Sequence, residues 1–495
     1  MPPPTPPKQT RRAPTVLGLI LALAMAALEA TVVATAMPRV IGDLGGIEYY
    51  AWVANAYLVA SSVSVPLYGK LADMYGRKPV LLLGIALFLV GSIACGAVPS
   101  GSAASMPMLI AFRALQGLGA GSMQPIAMTV VGDIFDLEQR SRVQGLFGAA
   151  WGFFGLVGPL LGGFMVDHLS WRWVFLMNIP FGIAAVFLIV TYLHEHVDRR
   201  ERAVDWAGAA LLTLGVGALL VATDRPRLVE KAVAAAIAIV LLGLFVVVER
   251  RAKEPVLPFE LFSRPVLAVS SPVGAMIGGS MMGILTYVPL YVQAVLRGSP
   301  TDAGSAITPM VIGWPIASTI GGRLLPRVGF RPLIWTGLFI TAVSGVVLAL
   351  FGTHDSLWAM RWTTLAFGLG MGFANTALVI SVQTSVPWHE RGVATASTMF
   401  FRTIGGALAV GVMGGVLNGA LAKDPSIPEK ATSQILTREG IKSMDPVVLA
   451  KLGDVLGGAL GTVFWIVGGM GVVAFLVSLG FPKATREGAP AARPS

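Results

Sequence analysis

Residues 69–79 read GKLADMYGRKP and residues 322–332 read GRLLPRVGFRP. The two stretches share a glycine, a basic residue, a leucine, a second glycine, a second basic residue and a proline in register. Another pair, GLGAG at 117–121 and GLGMG at 368–372, lies 251 residues apart, close to the 253 residues that separate the first pair. Two matches at nearly one offset predict that the chain consists of two homologous halves.

The chain that carries these repeats is strongly apolar. Of its 495 residues, 55% are hydrophobic and 13% are charged, whereas a soluble protein carries about 25% charged residues. Apolar runs long enough to cross a bilayer recur almost throughout. The pattern predicts an all-α polytopic membrane protein with two pseudo-symmetric six-helix bundles and two inserted helices, which makes about fourteen transmembrane helices. The predicted spans are 15–37, 50–70, 79–98, 106–131, 142–166, 172–193, 204–222, 230–249, 266–294, 303–325, 332–352, 357–385, 392–420 and 459–480.

These spans divide the chain into segments. Two parallel halves are an architecture of secondary transporters, which bind their ligand near the middle of the membrane between the halves. Asp445 followed by Pro446 is a helix-start pattern, so the last helix is predicted to begin outside the membrane. The predicted segments are a disordered cytoplasmic N-terminus (1–14), an N-terminal six-helix bundle (15–193), two inserted helices (204–249), a cytoplasmic linker (250–265), a C-terminal six-helix bundle (266–480) with an outer loop (421–458), and a cytoplasmic tail (481–495).

The basic residues give the predicted orientation. The formal net charge is +10, and about 22 Lys and Arg residues fall in predicted cytoplasmic segments against about six in the short outer segments. By the positive-inside rule, both termini are cytoplasmic in a bacterial plasma membrane. This rule accounts for the positive charge without a nucleic-acid partner. The single Cys95 and five scattered histidines form no disulfide and no metal-like cluster, so no metal is expected.

Two charged residues lie inside predicted spans 1 and 4 at similar depth. Glu29 falls about 4 Å beyond the middle of its span and Arg113 about 7 Å outside the middle of its own. A charge at such depth costs about 3 kcal/mol on insertion scales, so it usually marks a functional site. The charge of Arg113 favours ionised Glu29 and loss of water favours neutral Glu29, so a small helix movement can switch the proton. We predict that this pair couples proton movement; a permanent structural ion pair is the alternative.

A second intramembrane arginine, Arg402, lies in predicted span 13 on the inner side of the midplane. It has no obvious acidic partner in the opposite half. A structural role bonded to carbonyl groups and a role in substrate binding both remain open. Other polar and aromatic residues are candidates for the substrate cavity together with Glu29 and Arg402, because such walls suit varied amphipathic ligands. They are Asn55, Tyr57, Trp151, Tyr287, Tyr291, Gln293, Trp314, Asn375 and Gln383.

The first repeated stretch lies on an inner loop between spans 2 and 3. Its glycines allow a tight turn, and its charged residues can pair with one another or with facing helix ends. We predict that this loop holds an inner gate, and that its acidic latch exists in one half only, because Pro326 replaces Asp73 in the second copy. The predicted gating residues are Gly69, Asp73, Gly76, Arg77, Lys78 and Asp133.

Predicted span 5 carries glycines at helical spacing along one face. Small residues let helices approach backbone to backbone, which predicts a tight, bendable seam between the halves; a generic packing face is the alternative. The residues of this predicted seam are Gly155, Gly158, Pro159, Gly162 and Gly163.

These motifs resemble those of the major facilitator superfamily, in particular of its fourteen-span drug/proton antiporters, from about residue 15 to 480. The resemblance implies that Arg113 takes part in proton transfer and that predicted span 5 is an antiporter helix, which points to an exporter. The family usually has Asp where this chain has Glu29, and often Asn where it has Ala34. The matching residues are Gly69 to Asp73 with Gly76, Arg77 and Lys78; Arg113, Gln116, Gly117 and Gly119; Gly158, Pro159, Gly162 and Gly163; LEATVVATAMP at 28–38; and Trp171, Arg172, Trp173, Asn178, Pro180, Pro289, Tyr291 and Gln293.

We therefore expect a secondary exporter in which an inward-moving proton drives a hydrophobic, cationic drug-like compound outward by alternating access. The proton gradient would replace any cofactor, and the partners would be small hydrophobic molecules and membrane lipids acting on a monomer. A dedicated exporter of a lipid, a glycolipid or an endogenous antibiotic is the nearest alternative, and a nutrient importer is less favoured. The sequence contains no nucleotide-binding loop, nucleophile elbow or paired catalytic carboxylates, so we do not expect an enzyme.

Overall fold

The computed structural model describes residues 10–135, 137–195, 205–224, 228–252, 255, 257, 259–351, 356–387, 391–422 and 445–482. All regular structure in these ranges is helical, with short 3₁₀ helices at Ile47–Tyr49 and Phe259–Ser263. Residues 1–9 of the predicted N-terminus 1–14, most of the predicted outer loop 421–458 and residues 483–495 of the predicted tail 481–495 lie outside the described residues, and α1 already begins at Arg12. The α-helices are α1 (Arg12–Leu44), α2 (Tyr50–Tyr75), α3 (Arg77–Gly96), α4 (Ser105–Ile134), α5 (Leu137–His168), α6 (Arg172–Leu176), α7 (Asn178–Tyr192), α8 (Trp206–Asp224), α9 (Leu228–Glu249), α10 (Pro265–Ala294), α11 (Pro300–Val328), α12 (Phe330–Ala349), α13 (Leu357–Thr384), α14 (Arg391–Ala422) and α15 (Pro446–Ser478).

The described part of the chain contains 12 candidate spans, long and apolar enough to cross a membrane. Predicted span 6 is one of them and consists of α6 and α7, which are divided at Met177. Helices α2 and α4 have 26 and 30 residues, which is sufficient length, but they are not among these 12. The count of fourteen spans therefore stays a prediction.

Helix α15 begins well before the predicted last span at 459–480. It starts at Pro446, and the side chain of Asp445 accepts a hydrogen bond from the backbone N–H of Val447 at 2.8 Å. An aspartate that satisfies a free N–H group in this way is a stabilising N-cap. The helix start predicted from Asp445 and Pro446 is therefore confirmed.

The helices of each half pack on one another in a corresponding order. In the first half α1 packs on α5 and α7, while α2 and α3 both pack on α4. In the second half α10 packs on α14 and α15, while α11 and α12 both pack on α13. The halves meet where α5 packs on α11 and α2 packs on α14. These pairings fit the predicted repeat; a two-fold axis that relates the halves remains a prediction.

The repeated sequence forms the same turn in both halves. Gly76 separates α2 from α3 with φ 96°, and Gly329 separates α11 from α12 with φ 80°. A positive φ of this size favours glycine because other residues meet a steric penalty there. The shared glycine of the two motifs therefore has a physical reason, which is an abrupt turn between consecutive helices.

Side-chain hydrogen bonds join the halves at the helix ends that the charge distribution predicts to face outward. The Thr301 backbone N–H at the start of α11 donates to Asp167 Oδ2 near the end of α5, at 3.1 Å. Asn418 Nδ2 near the end of α14 donates to the Glu48 carbonyl before α2, at 2.8 Å. The seam is thus held at this end along both of its sides.

The inserted helices α8 and α9 form a hairpin beside this seam. Helix α9 packs mainly on α8, whereas α8 also packs on α2 of the first half and α14 of the second half. The apolar residues of α9 are largely exposed, with Val229 at 75% and Ile239 at 72%. Such a surface fits contact with lipid, so the hairpin lies at the periphery of the two bundles.

Candidate functional site

Glu29 and Arg113 form an ion pair inside the first bundle. Helix α1 places Glu29 within about 2 Å of its own midpoint, and α4 brings Arg113 to the same level. Arg113 Nη1 donates to Glu29 Oε1, and the two side chains are 4% and 0% exposed. The structure therefore brings together the two charged residues that the sequence places at similar depth.

Further groups surround the guanidinium of Arg113. Its Nη1 donates to Gln116 Oε1 at 2.8 Å, and its Nε donates to the Val53 carbonyl at 3.3 Å. The Tyr57 ring lies 4.4 Å from the guanidinium carbon, which is a cation–π contact. The positive charge is thus compensated by a carboxylate, two neutral acceptors and an aromatic face.

The second carboxylate oxygen of Glu29 is held by α7. Asn178 Nδ2 donates to Glu29 Oε2 at 3.0 Å and to Ser92 Oγ at 3.1 Å. Gln116 Nε2 also donates to Ser92 Oγ, at 3.2 Å, which closes a ring of side chains from α1, α3, α4 and α7. This ring gives Glu29 polar partners from other helices.

Sequence reasoning did not assign Asn178 and Ser92 to the site. Asn178 was noted only as part of the family resemblance, and Ser92 was not singled out. The available signal was a single polar residue in an apolar run, since α7 reads NIPFGIAAVFLIVTY and α3 contains ALFLVGSIACG. A buried polar residue in a membrane helix needs a partner, but the sequence does not say which helix supplies it.

The second half places three of the predicted cavity residues together. Arg402 of α14 donates through Nη1 to Asn375 Oδ1 of α13 at 3.3 Å. Its guanidinium carbon lies 5.9 Å from the Trp314 ring of α11. All three side chains are partly exposed, in contrast to the enclosed pair of the first half. This cluster therefore borders accessible space between the helices.

The profile of the Major Facilitator Superfamily matches residues 19–410, which is most of the chain. The chain belongs to the Major Facilitator Superfamily. Among curated relatives, it is 37% identical to the multidrug transporter protein MdtP of Bacillus subtilis (strain 168) over 454 residues, covering 89% of this chain and 83% of the relative. It is also 37% identical to multidrug resistance protein 3 of the same organism over 414 residues, covering 81% of this chain and 78% of the relative.

Solved structures share the fold of this superfamily member. A bacterial homolog of the human lysosomal transporter Spinster, in an inward-facing and unoccupied conformation, matches with a TM-score of 0.67 at 16% identity, covering 95% of this chain and 98% of that one. A D-xylose–proton symporter matches with a TM-score of 0.61 at 15% identity, covering 96% and 97%. The superfamily member described here is a multi-pass membrane transporter and not an enzyme.

The basic residues of the predicted gating loop bind groups of their own bundle. Arg77 Nε lies 3.1 Å from Asp133 Oδ2, and Arg77 Nη1 lies 3.5 Å from Glu195 Oε1. Glu195 also accepts hydrogen bonds from the backbone N–H groups of Arg77 and Lys78, at 2.9 and 3.0 Å. Lys78 Nζ donates to the Leu193 carbonyl at 2.7 Å. The loop is therefore fixed to the inner ends of α4 and α7, and Glu195 is a partner that the sequence did not predict.

The other predicted gating residues have simpler surroundings. Gly69 lies within α2, with open space where a side chain would begin. The side chain of Asp73 lies outside the described residues, so the predicted latch stays a prediction. The structure thus describes the basic part of the loop but not its acidic counterpart.

The glycines of the predicted antiporter helix lie at close contacts with neighbouring helices. A Cβ added at Gly158 would lie 2.1 Å from Thr31 Oγ1 of α1, and one at Gly163 would lie 2.7 Å from the Thr301 Cα of α11. A Cβ at Gly155 would lie 2.7 Å from Val311 Cγ1 of α11. Helix α5 therefore packs tightly on α1 of its own half and on α11 of the other half.

The same helix continues this contact at its next two motif positions. A Cβ at Gly162 would lie 2.3 Å from Thr35 Oγ1 of α1. A Cβ added at Gly304 of α11 would lie 2.2 Å from the carbonyl oxygen of Pro159. The contact of Gly162 with Thr35 and the contact of Pro159 with Gly304 therefore each need a glycine on one side.

Two predicted cavity tyrosines are enclosed by helices. The hydroxyl of Tyr287 donates to the Val410 carbonyl at 2.9 Å, and the residue is 0% exposed. Tyr291 packs with its ring centroid 5.4 Å from that of Phe464 and is 1% exposed. Both therefore belong to helix packing in this conformation, and neither borders the space beside Arg402.

The remaining predicted cavity residues are spread over the seam. Gln293 Nε2 donates to the Thr35 carbonyl across the halves at 3.3 Å. Gln383 Nε2 donates to Thr395 Oγ1 within the second half, also at 3.3 Å. Trp151 is partly exposed on α5. These residues do not converge on one point.

Asn55 lies at the junction of α2, α8 and α14. Its side chain is 2% exposed, and its Nδ2 lies 3.3 Å from where a Cβ on Gly411 would be. A separate cavity of about 660 Å³ opens near the predicted outer ends of α10 and α15, beside Arg297, Asp302 and Asp454. That cavity contains none of the predicted substrate residues.

Proposed function

We propose that the protein is a proton-coupled antiporter that exports hydrophobic drug-like compounds by alternating access. The observation that carries this proposal is the enclosed ion pair between Glu29 and Arg113, a titratable carboxylate at the centre of one bundle. Intramembrane carboxylates mark proton relays in pumps and transporters. Multidrug transporters among the relatives support export of hydrophobic compounds.

Protonation of Glu29 would change the forces inside the first bundle. The ionised carboxylate binds Arg113 and Asn178, whereas the neutral acid has no Coulomb attraction to the guanidinium. Removing one charge from a buried pair costs about 3–5 kcal/mol, because the other charge is left uncompensated. A proton therefore favours a helix arrangement in which Arg113 is compensated by Gln116, Val53 and solvent instead.

This change can be transmitted to the seam through α1. The same helix carries Glu29, Thr31 and Thr35, and the last two contact the glycines of α5. Helix α5 in turn packs directly on α11 of the other half. A shift of α1 on protonation would therefore move the contact at which the halves rock.

The substrate follows less directly from the geometry. Cationic compounds are proposed because Glu29 supplies a negative charge, and they would bind in the state in which Arg113 releases it. A hydrophobic compound partitions into the bilayer and reaches the cavity from there, which suits an exporter in a bacterial plasma membrane with both termini cytoplasmic. A transmembrane potential adds about 2.3 kcal/mol per charge per 100 mV to the driving force.

A dedicated exporter of a lipid, a glycolipid or an endogenous antibiotic is the second candidate. The exposed apolar hairpin α8–α9 beside the seam favours it, because it offers a lipid-facing approach to the junction of α2 and α14. Native mass spectrometry of the purified protein distinguishes the candidates. A lipid that stays bound to the purified protein, and that no added drug-like compound displaces, would favour the dedicated exporter.

The test of proton coupling uses Glu29→Gln in proteoliposomes with an imposed pH gradient. We expect the variant to lose gradient-driven accumulation but to keep counterflow, the exchange of labelled for unlabelled substrate without a gradient. Glu48→Gln, which changes a carboxylate of the 3₁₀ helix Ile47–Tyr49, is the matched control and should keep both activities. Undiminished gradient-driven accumulation by Glu29→Gln would overturn the proposal.

A further inference from the structure

Arg402 carries a positive charge near the middle of the membrane that no described carboxylate neutralises. Its side chain contacts Asn375 Oδ1 at 3.3 Å and the Trp314 ring at 5.9 Å, and none of the ion pairs among the described residues includes it. It is the twelfth residue of the 32-residue helix α14, which places it about 7 Å on the inner side of the helix midpoint. A charge at such a depth needs compensation.

Two other arginines of the same half have structural roles and, unlike Arg402, donate to described backbone carbonyls. Arg264 Nη1 donates to the Ser385 carbonyl at 3.0 Å, and Arg331 Nε donates to the Phe481 carbonyl at 2.5 Å. Each of these arginines ties a helix end to a neighbouring chain segment. No described backbone carbonyl accepts from the guanidinium of Arg402, so a purely structural role leaves its charge unexplained.

The surroundings of Arg402 are suited to a ligand. Arg402, Asn375 and Trp314 come from three different helices, and all are partly exposed. A guanidinium has five N–H donors in a planar fork, so bonding to Asn375 leaves donors for an acceptor with two oxygens. The indole of Trp314 offers an aromatic face beside that fork. The cluster thus combines an anion-binding group with a stacking surface.

We propose that Arg402, Asn375 and Trp314 form a subsite that binds the carboxylate of an aromatic, amphipathic substrate. This inference rests on the proposed function and refines its substrate class. Compounds with a carboxylate next to an aromatic system should bind here, including zwitterions that also carry a basic nitrogen. The substrate carboxylate would supply the negative charge that no described residue places beside Arg402, whereas the acid of the first half is already bound to Arg113.

The test measures binding of pyrenebutyrate and of its neutral amide by fluorescence titration. The purified full chain is placed in nanodiscs of phosphatidylcholine without a pH gradient. Because the carboxylate would form a hydrogen-bonded charge pair with Arg402, we expect the wild-type protein to bind it about 10- to 100-fold more tightly than the amide. Arg402→Gln should lose this preference, and Arg402→Lys should keep part of it, because it retains the charge without the planar fork.

Arg361→Gln is the matched control for Arg402→Gln. Arg361 belongs to the same half, is partly exposed, donates to Ser305 Oγ at 2.6 Å and lies 4.6 Å from the Trp358 ring, but it is near the predicted outer end of α13. The Arg361→Gln variant should keep the full preference for the carboxylate over the amide. Thermal melting of each variant in the same nanodiscs shows that the fold is retained.

A phospholipid phosphate is an oxyanion of the same chemistry, so a second arm uses nanodiscs with phosphatidylglycerol. Suppose that the wild-type protein retains phosphatidylglycerol at Arg402 in native mass spectrometry and shows no carboxylate preference in phosphatidylcholine. A lipid is then the occupant, and the inference is overturned. An equal preference in Arg402→Gln and wild type overturns it as well.

A transport measurement separates this inference from the proposed function. In proteoliposomes with an imposed pH gradient, Arg402→Gln should lower the accumulation of pyrenebutyrate more than that of the amide, whereas Arg361→Gln should lower neither. If the wild-type protein accumulates no hydrophobic cation under the same gradient, the proposed function fails, while the binding titration still decides the role of Arg402.

Discussion

The two halves each place an arginine deep in the membrane, but they treat its charge differently. Arg113 is 4% exposed and is bound to a carboxylate, an amide oxygen and a backbone carbonyl. Arg402 is partly exposed and has one amide oxygen and one aromatic ring as contacts. The repeat therefore yields one half whose charge is neutralised internally and one half whose charge is open to the space between the helices.

In the functions proposed above, this difference gives the two halves separate tasks. A closed pair that contains a titratable acid responds to a proton, because protonation removes one of two mutually compensating charges. In the subsite proposed above, the guanidinium of Arg402 would bind an arriving anion, because no described carboxylate compensates its charge. A compound bound at Arg402 could then be coupled to the proton without contacting Glu29, through the packing of α5 on α11.

The largest expected effect compares removal of the two arginines. Arg113→Gln leaves the carboxylate of Glu29 enclosed without its cation, and we expect a loss of about 3–5 kcal/mol of stability. Arg402→Gln removes a charge that no described carboxylate compensates, so stability should change by less than about 1 kcal/mol. Thermal and denaturant unfolding in one detergent measures both. Equal losses in the two variants would contradict the asymmetry.

The next effect comes from making one conservative change in each half. Asn375→Asp offers Arg402 a carboxylate and should keep or raise stability, while weakening pyrenebutyrate binding about tenfold or more. Asn178→Asp instead places a second acid beside Glu29, and like charges there should lower stability by about 1–3 kcal/mol. Unfolding and fluorescence titration of both variants check this. The same sign of stability change in both halves would remove the basis of the comparison.

The smallest effect concerns the two copies of the loop. Lys78 and Arg331 occupy equivalent positions, and each donates to a carbonyl after the last helix of its own half, Leu193 and Phe481. Only the first copy adds Glu195, so Glu195→Gln should cost about 0.2–1 kcal/mol, as expected of a partly exposed ion pair. The same unfolding assay with Glu260→Gln, a change before α10, serves as the control. A loss well above this range would show that the first loop has a larger structural role.

The sequence predicted how deep the two charged residues of the site lie in their helices. A fixed rise of about 1.5 Å per residue places Glu29 and Arg113 at similar levels, whatever the helices do around them. Which helix faces which is a tertiary property, so Asn178, Ser92 and Glu195 were not assigned as partners. For the same reason, the sequence could not tell that Tyr287 is enclosed at the seam.

The fold was predictable to a similar extent. The repeated glycines at 76 and 329 marked turns, and both have a positive φ because the chain reverses there. The division of predicted span 6 at Met177 was not predicted, since no glycine or proline stands at that position. The number of spans stays at the level of a prediction, because α2 and α4 combine sufficient length with polar residues that serve the site.

The central claim is that Glu29 exchanges a proton when substrate binds. Its most direct measurement is the proton release or uptake when a transported compound is added to purified protein in weakly buffered detergent solution. We expect a substrate-dependent proton signal of about one per protein for the wild type and for Glu48→Gln, and none for Glu29→Gln with binding retained. An unchanged proton signal in Glu29→Gln would contradict the claim.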